Sequence, residues 1–129
     1  MNAMHPAGTL LAELLARPDV EEAEGDMAGE RSFRVQGREF LHVHGAALFH
    51  IGLSREQKAV ALAAGEARTH PYAPNSGAVE LHLTSPEQLP AARRLATLAL
   101  ERTAALARRF PARDLAPAPA PAPDPLSAH

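Results

Sequence analysis

The chain has 129 residues, a formal net charge of −2 and no cysteine. The length allows one core, read as a single domain over residues 1–111. The missing thiols exclude disulfides, cysteine nucleophiles and thiolate metal sites. The charge offers no general attraction to nucleic acid or anionic lipid, and no run approaches the roughly 20 apolar residues of a membrane span. With no leader-like N-terminus either, a soluble cytoplasmic protein with no nucleic-acid and no membrane partner is expected. Lys58, the single lysine, sits in a polar Arg-Glu-Gln-Lys stretch, a poor setting for Schiff-base chemistry.

In chain order, Thr9 to Ala16 has a leucine stripe (Leu10, Leu11, Leu14, Leu15) and is predicted as a short helix stopped near Pro18. Val20 to Glu30 is acidic and reads as a loop with room for a short edge strand. Ser32 to Gln36 alternates with Phe33 and Val35 inward, and Gly37 turns the chain into a second strand, Arg38 to His44. There, period-2 alternation puts Leu41 and Val43 on one face and Phe40, His42 and His44 on the other. A three-residue turn, Gly45 to Ala47, sets His44 against Leu48, Val43 against Phe49, His42 against His50 and Leu41 against Ile51. Only this register keeps one face apolar and the other rich in imidazole.

Ser54 with Gln57 forms a capping-box pattern for a helix that ends at Gly65, with Val60 and Leu62 as its main apolar residues. Glu66 to Gly77, with His70-Pro71 and Pro74-Asn75-Ser76-Gly77, is predicted loop. Ala78 to Thr84 alternates again, with Val79, Leu81 and Leu83 inward and Glu80 and His82 outward. Ser85-Pro86-Glu87-Gln88 opens a long helix carrying Leu89, Leu95, Leu98, Ala99 and Leu106. From 112 to 129 the alternating Ala-Pro sequence predicts a disordered or polyproline-like tail without a catalytic part. The predicted fold is α+β: an antiparallel sheet of about four strands in the order α-β-β-β-α-β-α, with helices packed on one face and the histidines on the other.

The succession Phe33-Arg-Val-x-Gly-Arg-Glu-Phe40, His42-Val-His44-Gly, His50-Ile-Gly-Leu-Ser54, Gly65, His70-Pro71 and Asn75-Ser76-Gly77 resembles the luciferase-domain family. Where bacterial members often carry an aromatic residue after Ser-Gly, this chain has Ala78. The family takes its name from the fungal luciferases, for which the resemblance implies oxygenation of a hydroxypyrone without a metal or organic cofactor.

His42, His44, His50 and His70 are the candidate catalytic residues. A neutral imidazole near pH 7 can take a proton from an acidic phenol or enol, and an imidazolium can stabilise the anion that results. Asn75 and Ser76 of the family motif, with Glu80 and His82 on the sheet face, are the expected substrate-binding groups. The expected partner is a small molecule and no cofactor is required. The alternative is zinc or iron held by the histidines and a carboxylate, since His-x-His on a strand is a common source of two ligands. A further alternative is a non-catalytic interaction module, including a homodimer formed through the open sheet face.

Overall fold

A computed structural model describes residues 5–110. The predicted tail from 112 onward lies outside the described residues. The elements are α1 (Pro6–Leu15), β1 (Val20–Glu24), β2 (Glu30–Val35), β3 (Arg38–His44), β4 (Leu48–Gly52), α2 (Arg55–Ala63), β5 (Arg68–Thr69), β6 (Ala78–His82) and α3 (Leu89–Arg109). The sheet is antiparallel throughout, in the order β1-β2-β3-β4-β6-β5. The α+β class holds. The sheet has six strands rather than about four, because the acidic Val20–Glu24 pairs along β2 and the two-residue Arg68–Thr69, within the predicted loop, pairs with β6.

The β3–β4 hairpin has the predicted register, with Leu41 opposite Ile51, His42 opposite His50, Val43 opposite Phe49 and His44 opposite Leu48. Gln36 and Gly37, at φ 51° and 79°, make the two-residue turn between β2 and β3. Two positive φ values in succession match the right-handed twist of the hairpin, and glycine takes the second at no steric cost.

Phe40 departs from simple alternation. Opposite Phe33 stands Leu41, but opposite Arg34 stands Glu39, so Phe40 is an extra residue in a β-bulge. Both Phe40 and Leu41 therefore turn into the core, where Phe40 is only 2% exposed, instead of Phe40 joining the histidines. The same shift carries Glu39 to the histidine face, where parity alone would not place it.

The core lies between the sheet and the helices. Phe33, Phe40, Leu41, Val43, Phe49, Ile51, Val79 and Leu81 meet Leu10, Leu11 and Leu14 of α1, and Ala92, Leu95, Ala96, Ala99 and Leu100 of α3. The alanines of α3 recur at three- and four-residue spacing and let the helix backbone approach the sheet closely. Leu106, predicted on this stripe, is only half-buried, and Thr103 and Ala107 take the inner positions.

α1 begins at Pro6, three residues before the predicted Thr9, because the His5 ring caps it by accepting from the Ala7 N–H at 3.1 Å. α2 has the predicted capping box of Ser54 and Gln57. Its buried residue is Ala61 rather than Val60, which is 69% exposed. Pro90 is accommodated in the first turn of α3, which starts at Leu89 after a 3-10 turn at Pro86–Gln88.

Candidate active site

The sheet register lines up one polar row across five strands: Ser32 on β2, His42 on β3, His50 on β4, Glu80 on β6 and Arg68 on β5. Because side chains alternate, Phe33, Leu41, Val43, Phe49, Ile51, Val79 and Leu81 beside this row fill the core while the row occupies the opposite face. Hydrogen bonds run along it. Glu39 Oε2 lies 3.0 Å from His42 Nδ1, His42 Nε2 lies 2.9 Å from His50 Nδ1, and His50 Nε2 lies 2.9 Å from Glu80 Oε2. The line is held at both ends. Ser32 Oγ donates to Glu39 Oε1 at 2.6 Å, Arg34 Nε donates to Ser32 Oγ at 3.1 Å, and Arg68 Nη2 donates to Glu80 Oε1 at 2.8 Å.

The proton count follows from these contacts. With both carboxylates ionised, Glu39 accepts the Nδ1 proton of His42 and Glu80 accepts the Nε2 proton of His50. One more proton is needed for the bond between the two rings. Three protons on four nitrogens give the imidazole pair one positive charge, shared between rings that are neutralised from outside by two carboxylates.

The electrostatics of the individual groups agree with this arrangement. The hydrogen bond to Glu39 raises His42 above the usual imidazole value, against the effect of burial. His50, only 6% exposed, is lowered by desolvation, which outweighs its bond to Glu80, and the neighbouring His42 and His44 add to the lowering. Burial pushes Glu39 up, but its bonds from His42 and Ser32 prevail and hold it below the ordinary carboxylate range. Glu80 is held low chiefly by the bond from His50. The positive charge of the pair therefore resides preferentially on His42.

His44 and His70 flank this pair. The rings of His44, His42 and His50 are mutually 4.9 Å apart at their centroids, and His70 lies over His50 at 4.0 Å. His44 Nδ1 is 3.6 Å from the largely buried carboxylate of Glu30. The Tyr72 N–H donates to His70 Nδ1 at 3.1 Å, which leaves the ring proton of neutral His70 on Nε2. Burial, followed by the proximity of His50, lowers His70.

The structure thus brings together His42, His44, His50, His70 and Glu80. His82 shares the face but is exposed, beyond Leu48 in the row that begins at His44. Asn75 and Ser76 lie elsewhere, in a hollow with Arg55, Lys58, Leu62 and Pro74. Ser76 Oγ bonds within its turn, to Ala73 O and from Ala78 N, while Lys58 Nζ donates to the carbonyls of Pro74 and Ser76.

Residues 37–99 match the family model described as the luciferase domain. This stretch, 63 of the 129 residues, is similar to the luciferase domain. The matched luciferase-domain segment runs from the turn before β3 into α3 and includes Glu39, all four clustered histidines and Glu80. Glu30, Ser32 and Arg34 precede it and complete the site from β2. Comparison with curated proteins and with solved structures finds no match.

Sequence reasoning missed Glu39, Glu30, Ser32 and Arg68 as partners of the histidines. The adjacent bulky pair Phe40-Leu41 was the available signal for Glu39, since two consecutive core residues in a strand imply a bulge. It also missed Tyr72, an exposed aromatic residue whose ring lies 6.1 Å from that of His70.

Proposed function

We propose that this face is the active site of a small-molecule enzyme that forms and holds a substrate oxyanion, with oxygenation of an enol or hydroxypyrone-like compound as its reaction class. One observation carries the reading: the continuous hydrogen-bonded line Glu39, His42, His50, Glu80 beside two further histidines, whose proton count gives the imidazole pair one positive charge. A positive charge oriented before the substrate arrives lowers the cost of an anion in the transition state, because no groups must reorganise to meet it.

In this reading His44, half-buried and backed by Glu30, receives the substrate hydroxyl proton. The His42–His50 pair faces the resulting oxyanion, and the Nε2–H of His70 supplies a second donor. The electron-rich carbon of the enolate then gives its electron pair to dioxygen, so that a C–O bond forms as the second O–O bond is lost, and the peroxide anion takes back the proton held by His44. The similarity of residues 37–99 to the luciferase domain favours oxygen over other electrophiles.

Oxygen uptake by the full chain with a hydroxypyrone as probe tests the reading. Uptake above the buffer rate that falls about 100-fold or more in His44→Ala and in His42→Ala is expected, the magnitude lost when a general base or oxyanion group is removed. Unchanged uptake in both variants would defeat it.

A further inference from the structure

The rings of His42, His44 and His50 stand at the corners of a nearly equilateral triangle, each pair of centroids 4.9 Å apart. One ring nitrogen from each lies within 4.8 Å of those of the other two. An ion bound tetrahedrally through imidazole nitrogens at about 2.1 Å sets those nitrogens about 3.4 Å apart and the ring centroids about 5 Å apart. The triangle already has that size. The 2.9 Å separation of His42 Nε2 and His50 Nδ1 need open by only about half an ångström to match the tetrahedral spacing.

A second observation points the same way. Each ring has its own carboxylate: Glu39 on His42 Nδ1, Glu80 on His50 Nε2 and Glu30 beside His44 Nδ1. For His42 and His50 the carboxylate takes the nitrogen that faces away from the other ring, leaving the inner nitrogens to converge. Such outer carboxylates fix the tautomer and orientation of metal-ligating histidines and raise their basicity. Two hydrogen-bonded pairs and a third carboxylate 3.6 Å from its ring thus surround one point. The surrounding charge also favours a cation, with Glu30, Glu39 and Glu80 set against Arg34 and Arg68.

We propose that His42, His44 and His50 form a three-histidine centre for a divalent transition-metal ion such as zinc or iron(II), with Glu39 and Glu80 as the carboxylates that hold two of the rings and Glu30 beside the third. The inference rests on reading this face as the functional site. With an ion bound, the ion takes the place of the proton shared by His42 and His50 as the positive charge facing the oxyanion, and His44 serves as a ligand instead of as the base assigned to it in the metal-free reading. A set of imidazoles suits zinc, iron and cobalt, whereas calcium and magnesium require oxygen ligands. The fourth position, on the open side of the triangle, is left for water or a substrate oxygen.

Chelator-treated full-length protein titrated with cobalt(II) and with zinc tests this. One equivalent should bind, cobalt should develop visible bands of a nitrogen-ligated tetrahedral or five-coordinate ion, and calcium or magnesium should not compete. His42→Ala and His44→Ala should remove the bands and the stoichiometric binding, and His82→Ala should leave both. Glu39→Gln, which retains all three rings, should weaken binding about 10- to 100-fold, and circular dichroism would establish that it is folded. Absence of metal binding, stoichiometric binding that persists in folded His44→Ala, or an affinity unchanged in folded Glu39→Gln overturns the metal centre. Histidine-dependent oxygen uptake that persists in chelator also overturns it while sparing the oxyanion reading; histidine-independent uptake defeats that reading alone.

Discussion

His42 and His50 are neighbours joined by one hydrogen bond, yet their surroundings drive them in opposite directions, His42 up through Glu39 and His50 down through burial. In metal-free protein, NMR titration of the ring protons should show His42 protonated to a higher pH than His50 and His70, with coupled curves. Glu39→Gln should bring His42 down. Because its folded value is raised, the stability that His42 contributes is fully present below about pH 6.5 and is lost as the pH climbs through the folded value. The stability gap between wild type and Glu39→Gln should therefore narrow as the pH rises, which denaturant melts at several pH values would measure. A gap independent of pH would contradict the pairing. At this scale the histidines were legible, because their i, i+2 spacing and a three-residue turn fix the face they share. Glu80 was legible too, by alternation in β6, but Glu30 and Glu39 were not, since they reach the rings through the pairing of β2 with β3 and through a bulge.

The bulge belongs to the scale of elements. Without it Phe40 would lie among the histidines and Glu39 would face the core, so one extra residue in β3 both fills the core and completes the polar row. Phe40→Ala should cost about 3–5 kcal/mol, as expected for a buried phenylalanine, whereas strict alternation predicts almost nothing. A denaturation midpoint close to that of wild type would refute the bulged assignment. Gly77 has a comparable local role where the chain enters β6, since a Cβ there would lie 1.9 Å from the carbonyl oxygen of Leu53. Gly77→Ala should force apart the β4–α2 junction and the loop bearing His70. Lower stability together with altered His70 ring shifts is the expected result. The capping box of α2 could be read from Ser54 and Gln57 because caps are local chemistry. The two-residue β5 could not, because its pairing with β6 depends on a tertiary contact rather than on any periodicity of its own.

Across the whole molecule, the sheet buries one face under α1, α2 and α3 and leaves the other to polar groups. The core residues Leu81 and Glu80's row of polar residues alternate along the same strand, so core and site share a backbone. Leu81→Ala should cost about 2–5 kcal/mol by leaving a cavity, without removing any group from the polar row. A calorimetric or denaturant melt checks the loss, and unchanged stability would contradict the assigned core. The α+β class followed from hydrophobic alternation in β2, β3 and β6 and from the leucine stripe of α1. The order of the strands was less accessible, because β5 takes the edge position by folding back along β6.

The most direct test of the account is to map where a small molecule binds. Ring proton–carbon spectra of the histidines in metal-free protein, recorded while a hydroxypyrone is titrated in, resolve the cluster from His5 at the N-cap of α1. The account predicts saturable shifts of His42, His44, His50 and His70 with one common dissociation constant, and no shift of His5. Four clustered rings that stay unmoved throughout the titration would contradict it.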